Sequence, residues 1–329
     1  MYSTDPSAAG SKYMGLPPLF DPKVGVTVVE ALGTGDGHWA GAPVVQYDAK
    51  DGRFLLAYRI RQPRPIRGGE SRIAASDDGI TFTDIWAMQR DDLDSQSIEK
   101  CAAFRCLDGK LRHYISYVDS ETNKWRVDFL EGDGVEDLDP ASRTRVLTAD
   151  DIGAEGVKDP YVVCIGGVYH MLLSYAPIPR QATDDQLGTM HATGDIYNTG
   201  VTTSETGLAT SVDGVNWEWQ GNIMRPGAGW DAYCARIGSV MYVPPVWVAF
   251  YDGSASVEEN YEEQAGIAVS PDLRDFTSIT PDGPWVQSEG GSRCVRYVDA
   301  LDLGDRIHYY YEMARVDGSH ELRVNVVGK

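Results

Sequence analysis

Ala209-Thr210-Ser211-Val212-Asp213-Gly214-Val215-Asn216-Trp217 closes a strand-like run on a small-residue turn followed by an aromatic. The same pattern returns at Ala74-Ala75-Ser76-Asp77-Asp78-Gly79-Ile80-Thr81-Phe82 and at Ala268-Val269-Ser270-Pro271-Asp272-Leu273-Arg274-Asp275-Phe276. A degenerate copy is Val127-Asp128-Phe129-Leu130-Glu131-Gly132-Asp133-Gly134. A self-similar unit that recurs with turn chemistry at its end marks a repeat architecture. Apolar residues at helical spacing are almost absent, whereas short β-rich runs bounded by Gly, Asp and Pro dominate.

Those runs group into five units, roughly 39–96, 97–150, 151–220, 221–285 and 286–329. In the first, Ala42-Pro43-Val44-Val45-Gln46-Tyr47, Arg53-Phe54-Leu55-Leu56-Ala57-Tyr58-Arg59 and Ser71-Arg72-Ile73-Ala74-Ala75 read as three strands. Thr83-Asp84-Ile85-Trp86 supplies a fourth, and Thr27-Val28-Val29-Glu30 is available to complete the last unit. The expectation is an all-β, five-bladed β-propeller with an axial pocket, built as one domain over residues 1–329. A β-sandwich is the structural competitor, but it does not explain a period of roughly 50 to 60 residues.

The formal charge of −20, from 49 acidic against 29 basic residues, argues against nucleic acid or an anionic membrane as partner, because both carry the protein's own sign. The apolar fraction of 42% is enough for a full core. Cys101, Cys106, Cys164, Cys234 and Cys294 stand singly, without the spacing of a disulfide framework or a paired zinc motif. They read as buried thiols of a reducing compartment. The stretch Met1 to Phe20 lacks a basic region followed by an apolar run of secretory length, so the location expected is cytoplasmic.

In a propeller, the residues just ahead of each innermost strand line the axis. Here they are Trp39-Ala40-Gly41-Ala42-Pro43, Ser97-Ile98-Glu99-Lys100-Cys101, Gly156-Val157-Lys158-Asp159-Pro160, Trp230-Asp231-Ala232-Tyr233-Cys234-Ala235-Arg236 and Gly291-Ser292-Arg293-Cys294-Val295-Arg296. Glu99, Asp159 and Asp231 place a carboxylate at what reads as one equivalent position. Carboxylates converging on a pocket suit glycosidic cleavage, in which one protonates the leaving oxygen and another acts as base or nucleophile. The plainer reading makes them structural ion pairs with Lys100, Lys158 and Arg236.

Three motifs stand out: Ala57-Tyr58-Arg59 with Ser71 to Gly79, Lys158-Asp159 ahead of Gly167-Val168-Tyr169-His170-Met171-Leu172, and Trp230-Asp231 ahead of Arg236-Ile237-Gly238. Together they resemble the propeller glycoside hydrolases, most closely the β-mannoside phosphorylases and mannosidases of family 130. Pro244-Pro245, Tyr251-Asp252-Gly253 and Ala265-Gly266-Ile267-Ala268 extend the likeness, and Asp159-Pro160 is similar to the Asp-Pro of family 43. The resemblance implies an axial sugar subsite and inverting chemistry. It implies Glu99 as proton donor, with Asp159 and Asp231 competing as the base that activates water or as the group that sets the donor's pKa through like-charge repulsion. Arg59, Arg72, Arg236 and Arg293, together with Lys158 and His170, would bind the sugar. The chain departs from family 130 at Ile98-Glu99-Lys100-Cys101-Ala102, where a Glu-Asp-Pro-Arg run is expected. It departs again at Asp252, which replaces a histidine of the phosphate site. Family 43 expects an aspartate where Ala42 stands.

Trp39 and Tyr233 are the expected stacking faces for sugar. The insertion from Pro177 to Glu205 is too long for a simple connection, so it should cover the pocket or reach a second copy of the chain. No organic cofactor and no metal ligand set is expected, although acidic loops admit a structural calcium. The leading function is hydrolysis of a small carbohydrate. The rivals are a phosphate-dependent phosphorylase and a carbohydrate-binding propeller without catalysis.

Overall fold

The computed structural model describes residues 15–329. Most of the N-terminal stretch inspected for a targeting signal lies outside the described residues. The chain is dominated by antiparallel strands. After β1 (Val26–Val29), the first unit is the meander β2 (Trp39–Asp48), β3 (Arg53–Gln62), β4 (Arg67–Ser76) and β5 (Thr83–Gln89). The second is β6 (Ala102–Arg105), β7 (Leu111–Val118), β8 (Trp125–Gly132) and β9 (Thr144–Leu147). The third is β10 (Ala154–Ile165), β11 (Val168–Pro177), β12 (Glu205–Ser211) and β13 (Glu218–Met224). The fourth is β14 (Cys234–Val243), β15 (Val246–Ser254), β16 (Gln264–Ser270) and β17 (Thr277–Ser278). In the fifth, β18 (Val295–Asp302), β19 (Arg306–Ala314) and β20 (His320–Gly328) are completed by β1, which pairs with β20. The N-terminal strand thus occupies the place its sequence suggested, and it joins the two ends of the chain.

The Ser-x-Asp-Gly turns explain their own recurrence. Asp213 Oδ1 accepts the amides of Val215 and Asn216 at 2.8 Å each, while Ser211 Oγ accepts that of Gly214 at 2.8 Å. Ser76 and Asp78 repeat the arrangement, and the amides pull the Asp78 carboxyl down to about 2. Gly79 and Gly214 have φ of 71° and 72°, where an L side chain is strained. The turns also clip units together. Tyr114 donates its hydroxyl to Gly214 O and Tyr310 donates to Gly79 O, both at 2.7 Å and both from the neighbouring unit.

Aromatic packing follows the same seam: Trp217 meets Tyr114 edge-on at 5.7 Å, and Trp86 meets His113 at 5.3 Å. Trp219 lies against Tyr175 of its own unit. The insertion folds into a short helix (Asp184–Ala192) and a 3-10 turn at Ile196–Asn198. Met190, Ile196 and Tyr197 bury themselves against Val118, Trp125 and Ala176, so the insertion roofs the junction of the second and third units. No helix among the described residues is long and apolar enough to cross a membrane.

Candidate active site

Each innermost strand skips register at the same place. Gly41 pairs with Arg59 and Val44 with Ala57, which leaves Ala42 and Pro43 opposite one residue. Lys158/Ser174 and Tyr161/Leu172 isolate Asp159 and Pro160 likewise, and Arg296/Glu312 and Asp299/Tyr310 isolate Tyr297 and Val298. In the fourth unit Arg236 pairs with Asp252 ahead of a skip at Gly238, and in the second the Glu99 amide bonds Ser116 O. Gly41, Glu99, Lys158, Arg236 and Arg296 are therefore equivalent. Ala42, Lys100, Asp159, Ile237 and Tyr297 form the next tier, where Ala42, Asp159 and Tyr297 take φ of 54°, 58° and 53°. Such backbone costs of order 1–3 kcal/mol and persists where surroundings impose it.

This register corrects the alignment of the three acids. Glu99 belongs with Lys158, Asp159 is one tier further along, and Asp231 lies in the turn before β14. Asp231 accepts a hydrogen bond from Tyr251 Oη at 2.9 Å, and Trp230 packs on the same tyrosine. It braces a loop and is not among the partners of the axial cations.

Those cations and the axial carboxylates interlock. Arg59 bonds Glu99 at 2.5 Å and Glu312 at 3.1 Å, and Arg61 bonds the other oxygen of Glu99 at 3.1 Å. Arg236 pairs with Asp252 at 3.0 Å, Asp159 at 3.3 Å and Glu263 at 3.3 Å. Arg296 ties Glu263 to Glu312 at 2.5 and 2.7 Å. Gly41 lets this happen, since a Cβ there would stand 1.9 Å from the Glu312 carboxylate.

Neither a protein-family model nor a curated protein matches this sequence. The fold does find relatives among solved structures. One is a β-1,2-mannobiose phosphorylase from Listeria innocua, at a TM-score of 0.58 and 15% identity over 95% of this chain and 92% of that one. Another is a thermostable family-43 glycoside hydrolase, at 0.60 and 12% over 91% of each. A glycosyl hydrolase from Bacteroides ovatus aligns at 0.59 and 14% over 95% of each. The chain shares the fold of these structures.

Within that fold Glu99, Asp159, Arg59, Lys158 and Arg236 come together as expected. Others do not. Arg72 sits on β4 and pairs with Glu70 and Asp84, and His170 donates to Val168 O of its own strand. Arg293 is exposed in a turn at φ 69°. Tyr233 donates its hydroxyl to Tyr197 O and so anchors the insertion. Trp39 is buried, with His320 stacked on it at 4.4 Å and Arg61 and Arg296 over its ring at 5.0 and 4.9 Å, so it offers no free face to a sugar. Strand period alone could not separate these cases, because it fixes a face but not the distance from the axis.

Arg61, Asp252, Glu263, Arg296, Tyr297 and Glu312 complete the site without having been singled out as its members. Their sequence signal is weak, since each reads as an ordinary polar residue on a strand. Glu312 and Asp252 do occupy the position of Arg59 in their own units, opposite an inner-strand arginine, so the repeat register would have pointed to them.

Electrostatics divides the carboxylates. Burial works to raise the Glu99 pKa, but Arg59, Lys158 and Arg61 outweigh it and hold the group well below its ordinary range. Burial is likewise overcome at Glu263, which Arg236 and Arg296 bring to about 2, and at Glu312, which Arg296 and Arg59 hold down. Asp252 goes the other way: burial raises it, Arg236 opposes, and Glu263 adds repulsion. Its 3.0 Å pair with Arg236 does not reverse the shift because that guanidinium is shared among three carboxylates.

Asp159 is set apart by geometry. Its Oδ1 accepts the Lys100 amide at 3.3 Å, while its buried Oδ2 takes no hydrogen bond despite lying 3.5 Å from Lys158 Nζ. Lys158 is held by the rings of Tyr197 and Trp125, with its ammonium 4.6 and 5.1 Å from their centroids. The insertion therefore reaches the site through Tyr197.

Proposed function

We propose that the five meanders are the blades of a single five-bladed β-propeller, and that the chain is a glycoside hydrolase. It cleaves a small oligosaccharide or glycoside with inversion at the anomeric carbon. The observation that carries this reading is the free carboxylate oxygen of Asp159, buried between Lys158 and Arg236 on a strained bulge. A polar atom left unbonded in such a place is costly, by about 1–3 kcal/mol, unless a ligand completes it.

In the reaction Asp159 Oδ2 takes a proton from water as the water attacks the anomeric carbon. Asp252, the axial carboxylate whose environment favours the neutral form, supplies the proton to the departing oxygen. Glu99 remains ionised under its two arginines and offsets positive charge that develops on the sugar ring. This reverses the donor role implied for Glu99 by the family resemblance, because a doubly clamped carboxylate is a poor acid near neutral pH.

Asp252 also favours hydrolysis over phosphorolysis, since an acid lies where family 130 places a phosphate-binding histidine. The test is a panel of aryl glycosides and oligosaccharides, incubated with and without inorganic phosphate, with the first-formed anomer followed by NMR. Free sugar of inverted configuration without phosphate is the expected result. Strict dependence on phosphate would make the chain a phosphorylase, and saturable sugar binding with no turnover would make it a binding protein.

A further inference from the structure

We propose that Glu262, Cys294 and His320 form a zinc site with one open coordination position, beside the axial ring. Their candidate ligand atoms all lie within 4.8 Å of one another. Glu262 Oε2 and His320 Nε2 are 3.1 Å apart. Nitrogen and oxygen ligands at about 2.0–2.1 Å from a tetrahedral zinc stand roughly 3.3 Å from each other, so this pair already has the spacing of two ligands.

His320 supplies the second observation. Its ring is fully buried, and Nε2 takes no hydrogen bond. On the other side Nδ1 lies 2.7 Å from Glu312 Oε1, and Trp39 stacks on the ring at an interplanar angle of 15°. A carboxylate that accepts the Nδ1 proton leaves the Nε2 lone pair for a metal and fixes the ring's orientation. The imidazole is therefore oriented with Nε2 towards the Glu262 carboxylate, the ligand with which it would share the metal.

Donor chemistry selects the ion. Thiolate, imidazole and carboxylate together suit zinc, whereas calcium takes six to eight oxygens, so this is not the calcium site that acidic loops suggested. Charge balances as well, since a divalent ion cancels one thiolate and one carboxylate. Tyr261 at φ 80° and Arg293 at φ 69° immediately precede two of the ligands, so left-handed backbone presents both. Glu262 keeps a quarter of its side chain exposed, which opens the fourth position to water. The ligands come from three distant segments, and that is why no Cys/His spacing announces them.

Full-length protein stripped with a chelator and titrated with zinc alone should bind one equivalent tightly, read by elemental analysis and competition with a chromophoric chelator. Cobalt substitution should give a thiolate-to-metal charge-transfer band that Cys294→Ser abolishes. Cys234→Ser, a buried thiol at the matching position of the preceding unit, should retain it. Glu312→Gln should weaken zinc binding by about 10–100-fold, as loss of a partner to a ligating histidine does. Circular dichroism of each zinc-free variant checks folding. Sub-stoichiometric zinc, equal affinity in Cys294→Ser, or wild-type cobalt protein without the thiolate band would overturn the site. The last reading stands even if Cys294→Ser fails to fold.

Discussion

Arg236 Nη1 stands 3.3 Å from Asp159 Oδ2 without hydrogen-bonding to it, while Nη2 of the same guanidinium donates to Asp252 Oδ2 at 3.0 Å. One cation thus holds two carboxylates side by side and satisfies only one of them. The other retains an oxygen for chemistry.

Asp159→Asn should therefore lower kcat by about 10²–10⁴-fold, the usual contribution of a positioned acid or base. Asparagine tolerates the left-handed backbone, so the fold should survive. Steady-state kinetics beside a sugar-binding measurement checks this, with affinity expected to change only a few-fold. Undiminished turnover would remove Asp159 from the mechanism.

Arg59 neutralises Glu99 and Glu312 at once, and all three side chains are buried. Arg59→Met should destabilise the protein by about 3–5 kcal/mol, because it leaves buried charge uncompensated. Adding Glu99→Gln to that variant should recover part of the loss. Urea unfolding of the single and double variants measures the coupling.

Glu263 titrates at about 2 in the folded chain against an ordinary value of 4.5. A depressed carboxyl contributes stability that is present above its unfolded pKa and is lost as pH falls through the folded one. The contribution should therefore fade from about pH 4.5 towards pH 2. Melting temperatures of the wild type and Glu263→Gln should converge over that window, and a constant gap would contradict the shift.

Tyr197 brings the insertion onto Lys158, with the ammonium 4.6 Å from its ring centroid. Tyr197→Ala should raise KM more than it lowers kcat, since the ring positions a binding cation. An equal fall in kcat and kcat/KM would place it in the chemical step instead.

Asp213 closes a turn far from the axial charges. Asp213→Ala removes the acceptor of two backbone amides and should cost about 1–2 kcal/mol in stability while leaving kcat unchanged. Thermal unfolding and an activity assay separate the two effects. A loss of activity in the folded variant would show that turn and site are coupled.

The repeat was legible because its causes are local. A serine and an aspartate that satisfy the amides of a tight turn, with glycine where φ is positive, leave a mark in nine consecutive residues. Strand alternation is also local, and so Thr27-Val28-Val29-Glu30 could be matched to the last sheet before any contact was known. Glu99, Asp159, Arg59 and Arg236 were legible as well, because the repeat sets their register to within one residue. Asp231 was not, for it differs from them only by its place in a turn before the strand. His170 and Arg72 share the alternation of site residues, yet their partners are Val168 O and the Glu70 and Asp84 carboxylates of their own units.

Short-range turn chemistry and period-two alternation suffice for the β-rich repeat, the strand closing its end and the convergence of charged inner-strand residues. How the charges are partnered depends on contacts between remote segments. The bulge that moves Asp159 one tier from Glu99, the sharing of Arg236 among Asp159, Asp252 and Glu263, and the meeting of Glu262, Cys294 and His320 all join segments distant in the chain. Burial then fixes which groups stay ionised, because the energy of a charge depends on the dielectric and the neighbours around it, and the linear order of residues specifies neither.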